Sequence, residues 1–568
     1  MTPRGAAFAI PFALVALACA HAQDLRPVPI RADDTVVLRV QGPDRIRRRF
    51  GPTNLGVVLG DETGLALRAK LAAAVFGDAG DARQPFSELF MRLIASDAEL
   101  TLGVRVARGE HDELVVDGAL RLAPDGKLDL AAIAAGVADA ARGAELPLGE
   151  IEYEGKKLLA LKDGGSLIAT LPFLHDGALL VVVGEDLGLA LERRLAPTDA
   201  LPWQPPEEET NHAAVALHAD LAVLVDASLR GQAREARSRR TVLEALGFDS
   251  LRSLRVLVRA AGPNLELESR LAFTQDGPRG LLAGFLPPIG EAPALASLGS
   301  DEGAGWFAGK FDLAAVIRAT IEGIGHYSAV ESRRFDGDVE KAIADIREQF
   351  EEFAGFDLEN EFAAKLGTDF FFAGARCLAP TPDADPDETD EGFALAVTLR
   401  DAAGFARAHD KFVAGTLADF VGLGKEGDAI GDVRIFGGRD SLAGLGKRHW
   451  FLAGGDEGHA ALEALIGRTT LGGGAADTPI PLPATLDRVR SRFPAGWSGC
   501  GTIDVGGAVG VLLLQVTAYG ILDEGDDFER TWREFVKELR EPLTRAQLDR
   551  VAITTGWADG SFTLRVDW

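Results

Sequence analysis

Few stretches of this sequence combine the residue types and spacing that chemistry needs. His212 and His218 stand six apart in an apolar run read as a strand, so they share a face. They could ligate a metal if a third ligand came from elsewhere, but a pair at the edge of a wet strand face explains them as well. His449 and His459 are split by a strand and a Gly-rich turn and offer less. Asp383, Asp385, Asp387 and Asp390 alternate as in a calcium loop, yet the EF-hand pattern asks for Gly at its sixth position and Glu at its twelfth. Here those positions hold Glu388 and Ala394, which reads as a solvated loop with at most weak surface calcium binding. "GLGKEG" (422–427) fits Gly-x-Gly-x-x-Gly but follows a helix and opens none, so it lacks the strand-turn-helix setting that aims N–H groups at a pyrophosphate. "GLGKRH" (444–449) lacks the upstream Gly and the Ser/Thr of a phosphate loop, and "GWSGCG" (496–501) approaches a Ser elbow with Cys500 in place of the closing Gly. No catalytic, cofactor-binding or metal-binding residue is assigned.

The elements around these residues repeat. "AAVALHADLAVLVDAS" (213–228), "GWFAGKFDLAAVIRAT" (305–320), "WSGCGTIDVGGAVGVLLL" (497–514) and, more loosely, "TVVLRVQGPDRIRRRF" (35–50) each run strand, Asp, helix. The residues at the hand-over are Asp220, Asp312, Asp504 and Asp44. A short carboxylate there accepts hydrogen bonds from the free N–H groups of a helix start. One copy per unit suits a structural cap better than catalysis.

Helices follow. Val339, Ile343, Ile346, Phe350 and Phe353 step by three and four, as do Phe528, Trp532, Phe535 and Leu539. Both stripes predict amphipathic helices packed on a sheet. Hairpins come next, with clean alternation at Leu265, Leu267, Leu271 and Phe273 and again at Phe562, Leu564, Val566 and Trp568; that pattern gives a sheet with one dry and one wet face. The unit recurs at 34–123, 212–274, 304–399 and 497–568, with matching modules at 124–197 and 400–470. The predicted fold is therefore α+β and internally duplicated, with antiparallel sheets and helices packed on one face. Residues 23–285 form the first half, 286–303 a linker and 304–568 the second half.

Residues 1–22 read as a secretory signal: Arg4, an apolar core, then Ala20-His21-Ala22 before Gln23. An alternative within the same stretch is lipidation at Cys19, which would make an outer-membrane lipoprotein. No later apolar run predicts a membrane span. The net charge of −27 disfavours nucleic acid as a partner. The basic clusters around Arg45 to Arg49 and Arg234 to Arg240 read as solvated helix faces without the interleaved aromatics of a stacking platform. The mature chain keeps Cys377 and Cys500, which could pair in an oxidising compartment; sequence separation alone leaves that open.

Gly-Phe-Asp recurs at 247–249 and 355–357, the second within "FAGFDLENEFAAKLGTDFFFAGA". With the leader and the opening strand, the chain resembles large secreted bacterial α+β proteins grouped under a domain of unknown function. That resemblance covers most of the mature chain and brings no catalytic residues. The expected role is an exported, periplasmic or extracellular, non-enzymatic envelope protein serving as a binding or scaffold module for an unknown protein. The alternatives are a carrier of an apolar or lipid-like ligand held between the halves, and a hydrolase with a dispersed acid/base site. No cofactor is expected.

Overall fold

The computed structural model describes residues 34–41, 46, 48, 50–53, 99–108, 114–123, 129–196, 213–228, 240–261, 264–301, 305–379, 392–415, 418, 422–424, 426–438, 441–471, 482–494, 496–504 and 549–567. They form two compact units. The first holds the described residues up to 228 and 253–269; the second holds 240–252, 270–504 and 549–567. This division falls inside the predicted first half, 23–285. Residues 270–285 go with the second unit because they are bonded into it: Phe273 N–H donates to Gly560 O, and Asp312 N–H donates to Gly284 O at 2.9 Å.

The first unit contains β1 (Val36–Val40), β2 (Glu99–Arg108), β3 (Leu114–Ala123), α1 (Leu130–Gly143), β4 (Leu148–Tyr153), β5 (Lys156–Asp163), β6 (Ser166–Thr170), β7 (Phe173–His175), β8 (Ala178–Gly184), α2 (Leu187–Leu195), β9 (Ala213–Asp220), α3 (Leu221–Ser228) and most of β10 (Leu251–Ala261). The bonded order is β10–β9–β1–β2–β3–β8, antiparallel throughout. The far edge of β8 takes β7 and one rung of β6, and β6 continues to β5 and β4. Strands β4 to β7 went unpredicted, although Glu154-Gly155 joins β4 to β5, Gly164-Gly165 joins β5 to β6 and Asp176-Gly177 joins β7 to β8, all at positive φ, as tight hairpin turns require.

Helices cover both faces of this sheet, not one. Leu130 and Ile133 of α1 pack on Val40, Leu100, Leu122 and Leu179. On the other face, Leu187, Ala190 and Leu191 of α2 pack on Ala119 and Val182. The reason lies in β8, "ALLVVVG", whose first five residues are all buried. A strand apolar at every position presents two dry faces, and each needs cover.

Strand β11 (Asn264–Phe273) leads to the second unit, which adds α4 (Gly280–Phe285), β12 (Gly305–Lys310), α5 (Leu313–Glu331), α6 (Val339–Ala354), β13 (Leu366–Gly374), β14 (Gly392–Leu399), α7 (Ala402–Val413), β15 (Arg434–Gly437), β16 (Ser441–Leu445), β17 (His449–Gly455), α8 (Gly458–Leu471), α9 (Ala484–Val489), β18 (Trp497–Asp504), β19 (Arg550–Ala558) and β20 (Ser561–Asp567). Its bonded order is β20–β19–β18–β12–β13–β14–β17–β16–β15, again antiparallel.

One face carries the main core: Leu462 and Leu465 of α8 and Leu486 of α9 on Trp306, Phe371, Ala394 and Phe451. Small residues at Ala373, Ala394 and Ala396 let α8 lie close to the sheet. On the opposite face α7 buries Phe405 and Phe412 against Phe436, Leu445 and Trp450. The stripe of α6, expected to pack on a sheet, instead meets α5: a Cβ on Gly325 would lie 2.5 Å from Ile343 Cγ1. Its last residue, Phe353, is exposed.

Asp side chains start the helices. Asp312 Oδ1 accepts from Ala315 N–H at 3.0 Å, and Asp220 Oδ1 from Val223 N–H at 3.1 Å. Asp129, Asp186, Asp338 and Asp401 do the same for α1, α2, α6 and α7. Asp504 ends β18, and Asp44 lies outside the described residues.

Candidate functional site

The feature that the core does not explain is a row of phenylalanines on the second sheet. In β13, "LGTDFFFAG", alternation sends Phe371 and Ala373 into the α8 core and Phe370 and Phe372 to the other face. Register places Phe307 of β12 opposite Phe372, and Leu395 of β14 opposite Phe372 on its other side. The rings of Phe372 and Phe393 stand 5.8 Å apart, centroid to centroid. Their exposures are 44% and 42%, where α7 does not reach. A second run joins Phe307 to Phe370 at 5.9 Å, Phe370 to Phe311 at 6.3 Å and Phe311 to Phe285 at 5.4 Å. Phe285 is 50% exposed. Leu395, Ile503 and Ile553 extend the same face and are half-buried.

The local sequence is built to seat these rings. "GWSGCG" runs into β18 from Trp497 onward, and its last two glycines, Gly499 and Gly501, face Phe307. A Cβ on Gly499 would lie 2.8 Å from Phe307 Cζ, and one on Gly501 only 2.2 Å from the Trp306 carbonyl oxygen. Between them Cys500 points into the α8 core. The motif that resembled a Ser elbow is therefore a glycine floor under an aromatic ring, and it stands in a strand with no following strand-to-helix turn at the Ser.

The ionisable groups that are buried have structural partners or a structural cage. In the first unit the Arg194 side chain is 0% exposed. Its Nη1 lies 2.7 Å from Asp34 Oδ1, and its Nε donates to Asp117 Oδ1 at 2.8 Å. Arg193 adds a 2.7 Å contact to Asp117 Oδ2. This network ties the entry to β1, strand β3 and the last turn of α2, across 160 residues from Asp34 to Arg194. In the second unit His409 of α7 is fully buried and neither ring nitrogen has a hydrogen-bond partner. Phe436 lies 4.6 Å away, with Phe405 and Phe412 each at 6.0 Å. Burial, with some help from Arg434 and against the pull of Asp410, lowers its pKa to about 4. A neutral imidazole in an aromatic cage is packing material here. Neither group was singled out from sequence, because nothing local marks an Arg or His whose surroundings arrive from distant strands.

Of the residues weighed earlier, His218 is half-buried on β9 between Val37 and Arg255, with its pKa lowered by burial against an opposing Asp220. His212, the acidic run 383–390, Arg234 and the leader with Cys19, Ala20, Ala22 and Gln23 lie outside the described residues. Gly422 begins no helix; the backbone there leads to an isolated bridge between Glu426 and Phe436. "GLGKRH" is the β16–β17 hairpin, closed by Gly446 N–H to His449 O at 3.0 Å. Cys377 and Cys500 are both buried and are not joined in a disulfide. Cys377 Sγ sits on Gly305, while Cys500 lies opposite Ala308. Three residues of extended strand, roughly 10 Å, separate those points, beyond the span of a disulfide.

No family model matches this chain, and no curated protein does. Among solved structures, crystal form III of TP0453 aligns at 11% identity with a TM-score of 0.23, over 44% of this chain and 81% of that one. Crystal form IV of the same protein aligns at 10% identity with a TM-score of 0.24. Likeness at that level carries no argument about fold or function. No helix among the described residues is long and apolar enough to cross a membrane.

Proposed function

We propose that this chain is an exported, non-enzymatic envelope protein whose second unit is a binding module, and that the Phe372–Phe393 face is its contact surface. The observation that carries the reading is that ring pair: two large apolar side chains in mid-sheet, each more than two-fifths exposed. Contiguous exposed apolar surface is costly to keep in water and commonly marks an interaction site. Among the described residues, the buried Asp, Arg and His side chains named above are engaged in ion pairs or aromatic packing. Export rests on the leader-like residues 1–22.

The internal duplication belongs to the same proposal. The order β10–β9–β1–β2–β3–β8 in one unit has the same chain logic as β19–β18–β12–β13–β14–β17 in the other. A helix follows β3 and β14, and another follows β8 and β17, in each case with an Asp cap or a Gly-Asp turn. The two copies differ on the apolar face: the first sets Leu38 opposite Leu102, the second Phe307 opposite Phe372. We read this as duplication followed by specialisation of the second copy.

The test is direct. Phe372→Ser with Phe393→Ser should lower the fluorescence gain of a neutral apolar dye such as Nile red while far-ultraviolet circular dichroism stays the same. Expression with its own leader should deliver a chain beginning at Gln23 to the envelope fraction. Equal dye binding by wild type and variant would sink the contact surface, and retention of an uncut chain in the cytoplasm would sink export.

A further inference from the structure

We infer that the first unit holds a carboxylate-binding site at Arg121 and Arg39, on the sheet face that the second unit turns into core. Bonded order and register let the two sheets be compared place by place. Leu180, Arg121, Thr101 and Arg39 lie side by side across β8, β3, β2 and β1. The same places on β17, β14, β13 and β12 hold Phe451, Ala396, Phe371 and Ala308. Those four are 0–1% exposed and belong to the core under α8. Two arginines and a threonine thus stand where the other sheet is dry. The covering helices differ in step: α8 has 14 residues and α2 has nine. Where α8 gives Leu465, counted from the glycine that ends the preceding strand, α2 gives Arg194.

The charges in this row are only partly matched. Arg39 Nε donates to Glu99 Oε1 at 2.9 Å and its Nη2 to Oε2 at 3.3 Å, while Thr101 Oγ1 donates to Oε1 at 3.2 Å. Glu99 and Thr101 are buried. Arg121, half-buried on the far side of Thr101, makes no hydrogen bond or ion pair among the described residues. Burial lowers its pKa against the weaker pulls of Glu99 and Asp176, and the Asp176 side chain is 90% exposed, where water and salt screen it. At the α2 end of the same face the matching is complete: Arg194 meets Asp34 and Asp117, and Arg105 and Arg193 share Asp117.

A charge drawn out of water without a partner is costly, and an anion that pairs with it offsets that cost. The flat guanidinium fork fits a carboxylate through two parallel N–H donors. Charge selects a monoanion. Arg39 and Arg121 against Glu99 leave one positive charge, which a carboxylate cancels, whereas a phosphate dianion would bring surplus negative charge beside Glu99. The two arginines are two strands apart, about 10 Å between Cα atoms, a gap that two such long side chains can close on one carboxylate above Thr101.

The experiment uses the mature full-length protein and phenylglyoxal, which attacks accessible guanidinium groups, with the modified residues located by mass spectrometry. In chloride Arg121 should react, and Arg194, with a side chain 0% exposed, should not. Sodium propionate at constant ionic strength should protect Arg121 in a saturable way and leave Arg333, exposed on the second unit, reacting as before. Glu99→Gln frees Arg39 and removes the competing charge, so half-protection should need about tenfold less propionate, the worth of one charge-assisted contact. The wild-type comparison stands by itself if that variant fails to fold. Equal protection of Arg121 and Arg333, or no reaction of Arg121 in chloride, would overturn the site. Protection by phosphate at lower concentration than by propionate would overturn the carboxylate assignment.

Discussion

Lowering the pH should loosen the second unit at one identifiable place. His409 is fully buried, caged by Phe405, Phe412 and Phe436, with no hydrogen-bond partner at either nitrogen. Around the cage stand Arg434 and Asp410, themselves paired at 2.9 Å. The folded pKa is held at about 4 against 6.5 in the unfolded chain. The unfolded state therefore takes up its proton first. Stability is complete above the unfolded value and is lost as pH falls from about 6.5 toward 4, with no further loss below that. At roughly 1.4 kcal/mol per pKa unit, the full loss is about 3 kcal/mol and some 2 kcal/mol of it should be gone by pH 5. The assay is urea unfolding between pH 7.5 and 4.5, followed by hydrogen exchange of the 402–413 amides so that the two units are not averaged. His409→Leu keeps an apolar side chain of similar size and removes the titration, so the wild-type minus variant difference isolates this group from the many carboxylates. A wild type and variant with the same slope between pH 7 and 5 would refute the reasoning.

Three further outcomes follow from packing. Arg194→Leu removes the buried guanidinium shared by Asp34 and Asp117, leaving Asp117 to Arg193 and Arg105; breaking such a buried pair costs about 3–5 kcal/mol, read as an earlier urea midpoint of the first unit, and an unchanged midpoint would show that water replaces the arginine. Gly501→Ala has no room, since the new Cβ would sit 2.2 Å from the Trp306 carbonyl oxygen, so the melting temperature should fall sharply while Gly143→Ala, at an open position, should leave it unchanged or raised. Burial pushes the Cys500 thiol up to about 12, so DTNB at pH 8 should label it only after denaturation; prompt labelling of the native chain would contradict its place in the core.

Several elements were legible because their signals are local. Alternation at 265–273 and 562–568 gave β11 and β20, which the structure places at Asn264–Phe273 and Ser561–Asp567. Asp before an apolar helix gave the caps at Asp220 and Asp312, because a side chain three residues from its N–H partner needs no tertiary help. The strands β4 to β7 were missed although their turn dipeptides stood in plain view. The α6 stripe announced a buried face but not its neighbour: the same period serves a sheet or a helix, and the small Gly325 of α5 made the helix the closer fit.

The sequence by itself determined the α+β class, the antiparallel hairpins, the capping Asp residues and the strong negative charge, since each depends on neighbours within a few positions. It also held the string Phe370-Phe371-Phe372, whose alternation puts the middle ring on one face and the outer two on the other. Only the tertiary structure decided which face is covered. Phe371 is 0% exposed because α8, some ninety residues later, closes over it, while Phe372 stays 44% exposed because α7 stops short. The same holds for Arg194 and His409. Burial is set by what arrives from distant chain, and no period in the local sequence encodes that arrival.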